Sequence, residues 1–429
     1  ARLTPWWDDL LTAGDYRAVD FETLVLTAKP NQYLVCPPNL CAAAQAHRES
    51  PEFDRRVAKA RQGLAERGLA AILLFAQESH YYLSGYDTTG YVFFQCLVLT
   101  ADQQPLTLLT RRPDLEQARR TSIIDDIRIW YDREDASPTD ELRDILAEKG
   151  LAGACIGIEL DSYGLRAHDY EQLKTSLDGW CELEDASALV RGLRLIKSGA
   201  ELDYVRRAAE LADASLLAML DTAGPGAFEG DIAAAGTGAI LSGGGDPAPS
   251  GPVLGSGERA LLIRSATGFR HLDEQDQLTM EFAGSYRHYC ACLMRTVAIG
   301  SGSEKHRQMF QITQDALSAM TEAARPGRPL GEIDDAHRRV YDENGYGDVR
   351  MAACGYSLGA SFRPTWMDVP PMLFSGNPLS AQPGMVLFLH AILIDSPANL
   401  AMSLGHTIII TENSADVLSR LEPDYIICA

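Results

Sequence analysis

Between Pro51 and about residue 190, short apolar runs alternate with helical stretches, which restricts this part of the chain to an α/β arrangement. From Pro51, the residues Phe53, Val57 and Leu64 recur at helical spacing, and the helix is expected to end near Gly68. Ala70-Ala71-Ile72-Leu73-Leu74-Phe75 then reads as a buried strand. Strand-like runs are expected at Tyr91–Leu99, Leu106–Leu109 and Ala154–Leu160, with a helix over Asp140–Lys149. From about Leu193 the pattern changes. Leu202, Val205, Ala209, Ala212, Leu216 and Met219 form the stripe of one long amphipathic helix. A Gly- and Pro-rich stretch, Ser242 to Gly257, reads as a loop. Leu278–Phe282, Cys292–Ile299, Val386–Leu393 and Thr407–Thr411 read as strands, and about Lys305–Ala324 as a helix.

A chain of 429 residues carries two domains by default. The expected division is an irregular arm over 1–50, an α/β domain over 51–190 and a second domain over 191–429. With 38 Lys and Arg against 59 Asp and Glu, the formal charge is −21, which argues against duplex nucleic acid and anionic membranes as partners. No apolar run reaches the length of a membrane span. The segment Ala1-Arg2-Leu3-Thr4-Pro5-Trp6-Trp7 lacks the pattern of a secretory signal, although one already removed would leave no trace. Nine cysteines, scattered and odd in number, suggest reduced thiols and a cytoplasmic setting.

No GxGxxG loop, Walker loop, GxSxG elbow or HExxH helix is present. Ser242-Gly243-Gly244-Gly245-Asp246 lacks the Lys and Ser/Thr of a nucleotide site, and Cys290-Ala291-Cys292 lacks a second cysteine pair for zinc. Chemistry must therefore come from separated segments. Glu281 and Cys292 lie in Thr279–Thr296, and Cys354-Gly355-Tyr356-Ser357-Leu358-Gly359 is a glycine-flanked polar turn. Pro383–His390 ends an apolar strand on His390, and Gly405-His406-Thr407 opens another.

In order and spacing these segments resemble the pita-bread family of methionine aminopeptidases, prolidases and creatinase. The resemblance covers about Leu193–Leu421, opening at Leu193-Arg194-Leu195-Ile196-Lys197-Ser198 with Glu201. It extends to Tyr81-Tyr82-Leu83-Ser84-Gly85-Tyr86, which is similar to the creatinase and prolidase branch. It implies an α/β (α+β) chain, a small N-terminal α/β domain followed by a pita-bread catalytic domain. The family's metallopeptidases hold two metal ions with two Asp, one His and two Glu. The resemblance puts Glu281 and Cys292 at the Asp positions, Tyr356 at the His, and His390 and Gly405 at the Glu positions, with His406 beside the last. None of the five ligand types is kept. A dinuclear site needs bridging carboxylates to balance two dications, so no resident cofactor is expected.

The run Cys354–Asp368, then Gly376-Asn377-Pro378, Phe388-Leu389-His390 and Ala401–Gly405, looks closest to ectoine hydrolases. Creatinase keeps a His where Tyr356 stands and is the poorer match. The resemblance implies metal-independent cleavage of a C–N bond in a small amidine-like solute. Glu281, His390, Cys292 and Tyr356 are the catalytic candidates. Tyr289, Phe362, Trp366, Asp368, Arg264 and His406 are the substrate-binding candidates, with Arg287 and Arg363 as further cations for a substrate carboxylate. Taken singly, a buried His or Cys is more often packing, and a surface Arg is more often solvated. Four alternatives stay open: a Xaa-Pro-type metallopeptidase with altered ligands, a creatinase-like guanidine hydrolase, one ion held by Glu281, Cys292 and His390, and a non-catalytic binding scaffold. A homodimer is implied by the family alone, with Tyr91, Phe93 or Trp6–Trp7 reaching a partner's substrate. The departures from ectoine hydrolases are the arm and the Ser242–Gly257 segment.

Overall fold

The first sheet grows from the alternation in the sequence. In chain order its elements are α1 (Pro51–Arg67), β1 (Ala71–Leu74), α2 (Gln77–Ser84), β2 (Cys96–Thr100), β3 (Thr107–Arg111), α3 (Leu115–Thr121) and β4 (Asp126–Trp130). They continue with α4 (Pro138–Glu148), β5 (Cys155–Ile158), α5 (Ala167–Leu177), β6 (Glu182–Asp185) and α6 (Ser187–Leu195). The strands order as β4-β3-β2-β1-β5-β6. β1 pairs antiparallel with β2 and parallel with β5. Because helices cover both faces, β1 carries apolar residues at every position, all buried. These coordinates are a computed structural model that describes residues 51–265 and 268–429, so the expected arm lies outside the described residues. The described residues fall within one compact unit.

The expected strand over Tyr91–Leu99 is shorter. Gly90–Val92 forms a 3-10 turn and pairing starts only at Cys96. Tertiary contacts take these aromatics out of the sheet. Tyr91 packs edge-on against Phe362 and donates its hydroxyl to the Arg363 carbonyl at 2.8 Å, while Phe93 lies under the Arg111 guanidinium.

The second sheet follows α7 (Gly199–Thr222) and α8 (Glu229–Ser242). α7 starts with a capping box: the Ser198 Oγ accepts the Glu201 N–H and Glu201 Oε2 accepts the Ser198 N–H. Then come β7 (Val253–Ser256), β8 (Asp276–Tyr286), β9 (Tyr289–Ile299), α9 (Glu304–Ala323), α10 (Gly331–Glu343), β10 (Gly355–Leu358) and β11 (Met367–Leu373). β12 (Val386–Asp395), β13 (Leu400–Ile410), β14 (Ala415–Val417) and β15 (Ile427–Cys428) complete it. The main path is β11-β10-β12-β13-β9-β8-β7, with β14 on β13 and β15 on β9. The expected loop from Ser242 to Gly257 is thus only partly a loop. Its last residues, Val253–Ser256, are an edge strand paired with β8.

One face of this sheet packs on α9 and α10 through a cluster that includes Met309, Leu317, Leu387, Leu389 and Leu404. On the other face, Met294, Tyr356, Phe388 and Ile392 gather around the residues with chemical potential.

Candidate active site

Strand register builds the site. Glu281 on β8 sits opposite Met294 on β9, Met294 opposite Gly405 on β13, and Gly405 opposite His390 on β12. Residues directly opposite share a face, so four strands place these positions in one row. Tyr356 on β10 lies opposite Phe388, two residues from His390 and therefore on the same face.

This row borders a cavity of about 1260 Å³ lined by Glu281, Tyr356, His390, Trp366, Arg264 and Ile392, among others. The remaining walls are mostly apolar, from α8 (Ala233, Thr237, Leu241), the β7 edge (Val253) and three methionines (Met351, Met367, Met372). Tyr163 of the first sheet's domain reaches its rim.

A chain of hydrogen bonds crosses the floor. Trp366 Nε1 donates to the Tyr356 hydroxyl at 2.8 Å, and that hydroxyl donates to Glu281 Oε1 at 3.2 Å. Burial pushes the Glu281 carboxyl up to about 7, against the smaller opposing pull of the Tyr356 hydroxyl and the Arg264 charge. Burial, helped by the nearby His337, lowers the His390 imidazole to about 4, so it is neutral at physiological pH. Its Nδ1 is buried with no hydrogen-bond partner among the described residues. Tyr356 and His390 stand with ring centroids 5.7 Å apart.

The structure does not bring every expected site residue to the cavity. Cys292 is 1 % exposed and packed in the apolar cluster, and burial raises its thiol well above the ordinary range, the opposite of an activated nucleophile. Tyr289 donates to Glu201 Oε1 at 2.7 Å at the base of α7. The Phe362 ring stacks on His288 at 4.2 Å. Asp368 is paired with Arg194 at 2.8 Å, both buried. His406 is turned to the opposite face, where Nε2 meets the Thr321 hydroxyl of α9 at 3.0 Å. Alternation explains this last case: Gly405 faces the cavity row, so its neighbour faces away. Arg287 tips the β8–β9 hairpin with φ 51° and Arg363 is exposed, and neither lines this cavity.

Residues that the sequence did not single out also shape the site. Phe388 fills the space a side chain at 405 would use: a Cβ on Gly405 would come within 2.8 Å of its Cζ. α8 forms a wall, but its Ala- and Gly-rich sequence gives little helical signal.

Residues 203–412 match the family model "Metallopeptidase family M24", and residues 56–196 match the "Creatinase/Prolidase N-terminal domain". The chain belongs to the pita-bread family. Its M24 domain is that of a hydrolase family. Among curated pita-bread relatives, the ectoine hydrolase of Halomonas elongata is 27% identical over 389 residues, 86% of this chain and 95% of that one. The Xaa-Pro dipeptidase of Pyrococcus furiosus is 23% identical over 371 residues, 86% of this chain and 98% of that one. Among solved structures, the prolidase of Thermococcus sibiricus superposes with a TM-score of 0.80 at 20% identity, covering 88% of this chain and 100% of that one. The N-terminal domain of a FACT complex subunit from Cicer arietinum (chickpea) gives 0.70 at 15% identity, covering 86% and 96%. These likenesses show the fold alone.

The family's metal pair does not fit the donor set in this chain. Of the five positions that the resemblance assigns to the metal ligands, only Glu281 offers a carboxylate. Cys292 is sealed in an apolar cluster, and position 405 has no side chain and no room for one. Among the described residues, no helix is long and apolar enough to cross a membrane.

Proposed function

We propose that this pita-bread chain hydrolyses a non-peptide C–N bond in a small amidine-like solute, using its own side chains in place of a metal pair. The observation that carries this reading is Glu281: a lone carboxyl in an apolar cavity, hydrogen-bonded by Tyr356 and poised at about 7. A group with that pKa serves as base and acid in one cycle at neutral pH. The Glu281 carboxylate takes a proton from water as the water oxygen bonds to the amidine carbon. The tetrahedral adduct then collapses, the C–N bond breaks, and Glu281 returns the proton to the departing nitrogen. The products are an amide and an amine.

The Trp366 face suits a delocalised cation, and Arg264 at the rim suits a substrate carboxylate. Neutral His390 offers an acceptor that orients the water. Cys292, Tyr289, Phe362, Asp368 and His406 serve packing and placement in this reading.

A second reading is favoured by the cavity's size. Its 1260 Å³ exceeds the roughly 300–1,000 Å³ usual for small-molecule sites, and the match to the Pyrococcus furiosus dipeptidase covers as much of the chain as the match to the ectoine hydrolase does. Chelator-treated protein of verified metal content, incubated separately with ectoine and with Xaa-Pro dipeptides, separates the two. Ring-opened product without added metal supports the first reading. Peptide cleavage that requires added manganese, cobalt or zinc overturns it.

A further inference from the structure

A second cluster of reactive side chains lies outside the cavity lining. α10 carries Asp334 and His337 one turn apart, and Cys354 immediately precedes β10. Exposures of 1 %, 0 % and 0 % place all three out of water. One donor atom from each lies within 4.8 Å of the other two.

Their existing contacts leave ligand capacity unused. His337 Nδ1 meets Asp334 Oδ1 at 3.2 Å, and Asp334 Oδ2 accepts the Ser375 N–H at 2.9 Å. His337 Nε2 is buried and has no hydrogen-bond partner among the described residues. A buried polar nitrogen without a partner is costly and calls for an explanation. The His390 N–H donates to the Cys354 carbonyl on the neighbouring strand at 2.9 Å, and Cys354 packs with the residues of the α9–α10 face, so the cluster lies just behind the histidine of the cavity.

We propose that Asp334, His337 and Cys354 bind one thiophilic divalent cation, zinc above all. Thiolate, imidazole and carboxylate are its preferred donors. A thiolate and a carboxylate together balance its double charge, which a buried site requires. Three protein donors leave one tetrahedral position for a small exogenous ligand. Bound there, the ion ties α10 to the start of β10 and stiffens the strand pair that presents His390. This site shares no residue with the Glu281 cavity and does not depend on the reaction proposed for it.

Cobalt(II) titration of chelator-treated full-length protein tests the site. One equivalent should bind, with a thiolate-to-cobalt charge-transfer band in the near ultraviolet and visible bands of tetrahedral strength. Cys354→Ser should abolish the charge-transfer band, and His337→Gln should weaken binding by at least about 10-fold. Cys292→Ser and Glu281→Gln should leave the spectrum unchanged. Zinc should raise the melting temperature of the parent protein and not that of Cys354→Ser, with circular dichroism establishing that each variant is folded. The absence of stoichiometric binding overturns the proposal. So does a charge-transfer band that survives Cys354→Ser or vanishes in Cys292→Ser.

Discussion

Two regions of this molecule bury charge, and they treat it in opposite ways. Where the first sheet's domain meets the second, the buried guanidiniums of Arg194 and Arg56 each face a buried carboxylate. Arg194 donates to Ser79 Oγ and to Asp368 Oδ1, both at 2.8 Å. Arg56 lies 3.3 Å from Glu201, donates to the Tyr82 carbonyl at 2.9 Å and covers the Tyr82 ring. Burial alone would push the Asp368 carboxyl up, yet the Arg194 and Lys197 charges outweigh it and hold the group below its ordinary value. In the cavity the balance is reversed. Glu281 has one hydroxyl and the Arg264 charge against it, burial wins, and the carboxyl rises to about 7. The same carboxylate chemistry is held charged when paired and pushed toward the neutral acid when left nearly alone.

The contrast breaks most sharply at Glu281. Glu281→Gln should lower turnover of the true substrate on the order of 10³-fold, within the usual range for a lost general acid–base group. The same change should stabilise the protein at high pH. A carboxyl with a raised folded pKa costs nothing below about 4.5, and its cost grows as pH climbs to about 7. Above that the penalty is of order 3 kcal/mol. Glu281→Gln should therefore melt higher than the parent at pH 8 and alike at pH 4, readable by thermal denaturation. Equal melting at both would remove the buried-acid account.

Arg194→Met attacks the paired side. It strands Asp368 without its partner and should cost about 3–5 kcal/mol in denaturant unfolding. A loss below about 1 kcal/mol would show that the junction tolerates a lone charge as the cavity does.

Tyr356→Phe sharpens the comparison. It removes the hydroxyl that lowers the Glu281 pKa, so the pH–rate profile should move to the alkaline side. The unpartnered Trp366 Nε1 should cost about 1–3 kcal/mol of stability. Arg264→Gln is the mildest change: about a 10-fold loss in kcat/KM for a carboxylate-bearing substrate, with little change for a neutral analogue.

Much of the fold was legible because it rests on local pattern. Pro51–Arg67, Ala71–Leu74, Pro138–Glu148 and Gly199–Thr222 follow from apolar spacing and caps. The strand read over Tyr91–Leu99 was shortened by contacts from distant Phe362 and Arg363, which no local window contains. For the site, spacing brought Glu281, Tyr356 and His390 to one sheet face. It did not reveal which neighbours were already committed. Tyr289, Asp368 and His406 have suitable chemistry, yet Glu201, Arg194 and Thr321 claim them. The cluster of Asp334, His337 and Cys354 joins a helix to a strand entrance and carries no linear motif.

The Phe388 ring beside Gly405 also makes a ligand side chain hard to install at that position. The Cβ of any side chain at 405 would come within 2.8 Å of the aromatic ring and 2.9 Å of the Leu389 carbonyl oxygen, and overpacking of that kind typically costs about 1–3 kcal/mol. Trimming Phe388 alone would open a void at about 3–5 kcal/mol. Each single step is downhill in stability and gains no metal. A ligand side chain at 405 therefore needs Phe388 trimmed in the same step and the strand backbone at Leu389 to give way, so the order of engineering matters as much as the choice of ligands.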